Sequence, residues 1–255
     1  MNESVPELLH FRVSHYNEKA RWALDFKRWP HRRRALVPGF HLPVARLASG
    51  QSRLPILRLD GRVIAGSNHI LAELERRRPD PPLLPADPVL RERALAIEKF
   101  FDVQVAPDLR RLFWHCYEGH PELCAAVAAD GFGGLTRGLW RATLPAMWPL
   151  MSINMGLGAD AIERARSRLP GHFAHLEAEI GASGYLVGDT FTIADLAAAA
   201  VMTAIIRPPQ FSYPLPEPWP DELTHLRDAY APRPGFKWVC EIYARHRGAS
   251  AEIGS

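Results

Sequence analysis

Residues 52–70 read SRLPILRLDGRVIAGSNHI, and their reading decides the fold. An apolar run carries Pro55 near its start, reverses at Asp60-Gly61, runs apolar again through Arg62-Val63-Ile64, and gives way to Gly66-Ser67-Asn68. The Asp-Gly pair between two short apolar runs predicts a β-hairpin. Proline has no N–H for a sheet ladder, so Pro55 belongs at an edge or at a special backbone site. Ser67 is a good helix cap for HILAELERRR, where Ile70, Leu71 and Leu74 share one face.

Working outward, LLHFRV (8–13) has the compact apolar pattern of a buried strand and meets Ser14, a second capping residue. The helix EKARWALDF follows, with Ala20, Ala23, Leu24 and Lys27 at helical spacing. RRRALVPG (32–39) is a candidate second strand, and a polar loop leads from it to the hairpin. The order is strand, helix, strand, loop, strand, strand, helix. PDPPLLPADP (79–88) is a linker by composition, and Asp87-Pro88 is a good helix start beyond it. From there the periods are helical. Leu90, Ala94, Ile97 and Phe101 form one stripe that Pro107 should kink or break, and Ile162, Leu169, Phe173, Leu176 and Ile180 form another. Thr192-Ile193-Ala194-Asp195 resembles a capping box. A Pro- and aromatic-rich stretch (207–220) precedes a last helical segment ending near Arg247. The chain therefore divides into an α/β domain (1–78), a Pro-rich linker (79–88) and an all-α domain (89–255).

The bulk numbers exclude several classes. With 255 residues, 47% hydrophobic, 23% charged and a net charge of only +3, the chain is a globular protein without the bias of a nucleic-acid binder. Clusters such as Arg32-Arg33-Arg34 and Arg76-Arg77-Arg78 read as solvated surface. The three cysteines, Cys116, Cys124 and Cys240, form no CxxC and suit a reducing compartment. No secretory signal is visible, and the most apolar stretch, 193–206, is too short to span a bilayer. The expectation is a cytoplasmic protein with no membrane and no nucleic-acid partner. HCYEGHPELC (115–124) gathers zinc-type ligands, but their spacing follows no common pattern, so no metal is expected.

The chemistry follows from the arrangement. A strand leading to a polar residue at a helix N-terminus, followed later by X-Pro before a hairpin, is the layout of a thioredoxin-like domain. In that fold the proline is cis, and the residue before it, here Leu54, turns its main-chain N–H and C=O outward to meet an extended peptide. Ser67 and the N–H groups opening the next helix would bind a carboxylate. Ser14, at the start of the first helix, would favour a thiolate over a thiol. Together these describe a receptor for glutathione. Ser14 also has a plainer reading as an N-cap contributing about 1 kcal/mol.

At this point the chain resembles the glutathione S-transferases, over nearly its whole length. Ser14-His15-Tyr16-Asn17-Glu18-Lys19-Ala20-Arg21 looks like the family's active-site turn, Leu54-Pro55-Ile56-Leu57 like its cis-proline strand, and Gly66-Ser67-Asn68-His69-Ile70 matches its (E/D)S-x-x-I motif in part. Tyr185-Leu186-Val187-Gly188-Asp189 also fits, and Phe191-Thr192-Ile193-Ala194-Asp195 matches the helical domain's F(S/T)xAD box. Two departures stand out: Gly66 replaces the acidic residue that contacts the γ-glutamyl amine, and His15 replaces a frequent proline.

The resemblance implies transfer of the glutathione sulfur to a small hydrophobic electrophile, with glutathione as co-substrate and a homodimeric assembly. Ser14 would donate to the thiolate. Leu54, Pro55, Ser67 and Asn68 would hold the tripeptide, and His41 and Gln51 are favoured over Arg46 for its glycyl carboxylate. Tyr16, Phe113, Trp114 and Tyr117 would line the electrophile pocket. Two alternatives stay open. One is a glutathione-dependent lyase, isomerase or dehalogenase; the other is a non-catalytic binding or stress-response protein, which Gly66 favours.

Overall fold

In the computed structural model, residues 4–254 are described. The chain opens with β1 (Glu7–His10), α1 (His15–Phe26), β2 (Arg32–Ala35), α2 (Leu42–Ser49), β3 (Ile56–Leu59), β4 (Arg62–Ala65) and α3 (Ser67–Arg77). The strands form one sheet in the order β2-β1-β3-β4, with β1 and β2 parallel and the other pairs antiparallel. Side-chain alternation divides the faces. Leu8 and Leu57 pack into a core with Ala20, Leu24, Ile70 and Leu74 of α1 and α3, while Leu9 and Ile56 pack with Ala45 of α2 on the other face.

Two local expectations change. The second strand stops at Ala35, because the chain then turns through Pro38-Gly39. The stretch read as a loop contains α2, whose start is favoured by Pro43 in the first turn and whose end is Gly50 at φ 72.

The linker carries no regular structure up to Asp87, whose carboxylate accepts from the N–H groups of Val89 and Leu90 at the start of α4 (Pro88–Phe100). Pro107 has a more specific effect than a break. Lacking an N–H, it cannot continue the hydrogen-bond ladder, and residues Phe101–Val105 widen into a π-turn before α5 (Ala106–Cys116). Five helices complete the main body: α6 (Pro121–Ala128), α7 (Gly134–Met155), α8 (Ala159–Glu179), α9 (Ile193–Met202) and α10 (Asp221–Tyr230). They are followed by α11 (Pro234–His246). The box at Thr192 forms as expected, and Asp195 also accepts from Leu186 N–H at 2.8 Å. Among the described residues no helix is long and apolar enough to cross a membrane.

The two units are joined by buried charge. Lys19 of α1 reaches Glu98 of α4 at 2.6 Å and Asp102 at 2.7 Å. Arg247, just past α11, donates to Glu18 at 2.7 Å and Asp25 at 2.9 Å and also contacts Ser212, and Ile253 N–H bonds to His31 C=O at 2.8 Å. The C-terminal residues thereby strap the helical unit onto the back of α1.

Candidate active site

A cleft of about 1150 Å³ lies between the sheet unit and α4, α5 and α7. Ser14 sits on its wall at the N-cap of α1, with φ −80 and ψ 129. Its hydroxyl makes no capping hydrogen bond, so it is available to the cleft. The α1 N-terminus adds the positive end of the helix dipole at the same place.

Across from it, the Leu54-Pro55 peptide is cis. Pro55 C=O accepts from Gly66 N–H at 3.0 Å, which ties the strand to the start of α3. The N–H and C=O of Leu54 make no hydrogen bond among the described residues, and Leu54 and Pro55 both line the cleft. An extended peptide can therefore pair with them.

Ser67 and Asn68 open α3, also on the cleft. Residue type makes Ser67 the expected cap; the structure gives that position to Gly66, at φ 97 and ψ 137, and puts Ser67 in the first turn. A left-handed φ is open to glycine and strained for other side chains. Ser67 is buried, and the first N–H groups of α3 point the helix's positive end at the cleft.

His41 and Gln51 lie at the same end. Gln51 is exposed and free to bind a carboxylate. His41 is not: Gly39 N–H donates to its Nδ1 at 3.1 Å, and its Nε2 lies 2.9 Å from Ser52 C=O. Burial lowers its pKa, so the neutral ring acts as a brace for the loop, with no ring nitrogen left for a ligand.

On the helical side, Tyr16, Phe113 and Trp114 line the cleft. The Tyr16 hydroxyl donates to Asp102 C=O at 3.0 Å. That carbonyl sits in the π-turn, where Pro107 has no N–H to offer it, so the hydroxyl fills a gap the proline creates. Burial raises the Tyr16 pKa to about 12. Tyr117, expected in this pocket, does not line it. Its ring is buried behind Phe113, with centroids 5.0 Å apart, because it falls at the C-cap of α5 and turns into the core.

Sequence reasoning misses Arg53, Lys99, Arg110 and Arg207, which also line the cleft. No local motif marks them; Arg110 and Arg207 are nearly a hundred positions apart and come to one cleft only through packing.

Comparison with known families settles which fold this is. Residues 8–82 match the model "Glutathione S-transferase, N-terminal domain", and residues 159–231 match "Glutathione S-transferase, C-terminal domain". The chain belongs to the glutathione S-transferase family. A search of curated proteins gives no match. Among solved structures of the family's fold, a glutathione S-transferase from Methylobacterium radiotolerans, in complex with glutathione sulfonate, is 24% identical. That alignment covers 99% of both chains, with a TM-score of 0.56. The beta-etherase LigF from Sphingobium sp. strain SYK-6 is 19% identical over 93% of this chain and 99% of its own, with a TM-score of 0.63. Maleylacetoacetate isomerase from Anaeromyxobacter dehalogenans is 22% identical over 95% and 93%, with a TM-score of 0.52. At these identities the likeness is one of fold, and the glutathione S-transferase fold here carries its own cleft chemistry.

Proposed function

We propose that the protein is a glutathione-dependent transferase that joins the glutathione sulfur to a small electrophile. The observation that carries this is the free Ser14 hydroxyl at a helix N-terminus, facing the same cleft as the unpaired main chain of Leu54. In this reading the cysteinyl part of glutathione pairs with Leu54 as an added strand. The γ-glutamyl carboxylate takes the N–H groups at Ser67 and Asn68, and Gln51 takes the glycyl carboxylate.

The Ser14 hydroxyl then donates to the sulfur, and with the helix dipole it favours the thiolate. The thiol proton leaves to solvent. The sulfur forms a bond to the electrophilic carbon, and the leaving group departs with its bonding pair. Tyr16, Phe113 and Trp114 hold the electrophile against the sulfur and exclude water. The reading includes a cytoplasmic homodimer. Solved structures of this fold with glutathione or glutathione sulfonate bound support the choice of ligand.

The test is calorimetry with glutathione, followed by conjugation of 1-chloro-2,4-dinitrobenzene. Heat of binding at or below millimolar glutathione, with turnover that falls in Ser14→Ala, is the expected result. A silent titration at that concentration overturns the reading. Binding without turnover on any of an aryl halide, an α-aryl ether and a cis-alkene would favour the non-catalytic role that Gly66 suggests.

A further inference from the structure

The charges lining the cleft do not balance. Its carboxylates all have partners: Glu75 is held by Lys27, and Glu98 and Asp102 by Lys19. Its cations Arg53, Lys99, Arg110 and Arg207 form no ion pair among the described residues. Two of these are far from fully solvated. Arg207 is only 8% exposed, and its Nε and Nη1 are buried with no hydrogen-bond acceptor; Arg110 is half-buried, with its Nε in the same condition.

Burying a guanidinium without a counter-charge costs several kcal/mol. The fold nevertheless holds Arg207 in place, with its backbone at φ 54 and its guanidinium between the rings of Phe113, at 4.8 Å, and Phe211, at 5.2 Å. With Nε and Nη1 closed off, Nη2 is the nitrogen of Arg207 left to donate to a ligand, and a charged donor favours an anion such as a carboxylate. Arg110 lies one helical turn before Phe113 on α5, and both arginines line the same cleft.

His15 brings a further polar group to the same cleft. It follows Ser14 directly, lines the cleft, is 5% exposed and has Nε2 buried without a partner. Burial first, then Arg110 and Arg207, lower its pKa to about 3, so the ring is neutral.

We propose that Arg110 and Arg207, with His15, form a carboxylate subsite in the cleft that Ser14 lines, so that the electrophile this protein accepts is an organic acid with a flat apolar body. The inference rests on the transferase reading and narrows its co-substrate from neutral apolar compounds to anions. An anion can meet the Nη2 of Arg207 and the Nη groups of Arg110, which are neither buried nor paired, and Phe113, Trp114 and Met155 line the cleft for its apolar part. A neutral ligand would leave both guanidinium charges without a counter-charge, which disfavours it.

The test uses trans-cinnamate and its isosteric neutral amide, cinnamamide, titrated by calorimetry into the full chain without glutathione. Cinnamate is expected to bind about tenfold tighter than the amide. Arg110→Gln, at the more exposed of the two cations, should reduce that preference to about threefold or less while leaving glutathione binding unchanged. Arg207→Met, with its fold checked by circular dichroism, should abolish the preference. Equal binding of acid and amide, no binding of either, or a preference that survives both substitutions overturns the subsite. Tighter binding of phenylphosphonate than of cinnamate overturns its assignment to carboxylates. Cinnamate selectivity without any glutathione binding would leave the subsite standing and remove the transferase reading instead.

Discussion

The Lys19 ammonium lies 2.6 Å from the Glu98 carboxylate and 2.7 Å from that of Asp102, with Lys19 fully buried. One cation thus holds two carboxylates from the helical unit against α1, under the floor of the cleft. Burial pushes the Asp102 carboxyl above its usual range, against the pull of Lys19.

Replacing Lys19 by Met leaves two carboxylates crowded without their cation. The expected loss is about 3–5 kcal/mol, read as a lower urea midpoint with an unchanged slope. Glu98→Gln removes only one of the two partners and should cost clearly less. Equal losses would mean that Lys19 is held by Glu98 alone.

Ser14→Ala removes the donor proposed to meet the sulfur and no cap bond, since the hydroxyl makes none. Conjugation should fall by about 100-fold, with thermal stability nearly unchanged. The remaining rate should rise with pH up to the ordinary thiol range, because the variant no longer favours the thiolate. A rate unchanged by the substitution would remove Ser14 from the chemistry and leave the fold as described.

Gly66 stands at φ 97, and a Cβ there would lie 3.1 Å from Asn68 Oδ1. Gly66→Ala should cost about 1–3 kcal/mol from backbone strain. Gly66→Asp adds the missing carboxylate under the same strain, so any gain in glutathione affinity should come with a lower melting temperature. Gly66→Ala with wild-type stability would contradict a left-handed backbone at this position.

His15 supplies a pH dependence with a definite sign. Its pKa falls from 6.5 in the unfolded chain to about 3 in the folded one, through burial and then Arg110, Arg207 and Lys19. Between those values the unfolded chain binds a proton that the folded chain does not. Its contribution is fully present above pH 6.5 and is lost as pH falls toward about 3. His10, His31 and His41 are lowered by burial as well and act in the same direction. Stability measured from pH 7 to pH 5 should therefore drop, and less steeply in His15→Gln. Parallel slopes for the two proteins would count against a buried neutral His15.

Much of the fold is legible in the sequence because its signals are short-range. The Asp60-Gly61 hairpin, the cap at Asp87 and the box at Thr192 each depend on a few neighbouring residues, and each appears where the sequence places it. Differences arise where a local rule meets a longer-range demand. Pro107 by residue type should kink or break its helix, but a π-turn absorbs the missing donor and Tyr16 answers the freed carbonyl from another helix. Tyr117 has the residue type of a pocket wall, and only its direction at the end of α5 takes it into the core.

What the sequence by itself determined is the order of elements apart from α2, with the hairpin at Asp60-Gly61 and the caps at Asp87 and Thr192, because capping, proline and glycine act through the backbone within a turn or two. What only the tertiary structure decided is the character of the cleft. Which carboxylates find a lysine, that His41 is occupied by backbone groups, and that Arg110 and Arg207 line the cleft unpaired all depend on packing between distant segments. Burial and electrostatic balance are properties of that packing, and no spacing along the chain encodes them.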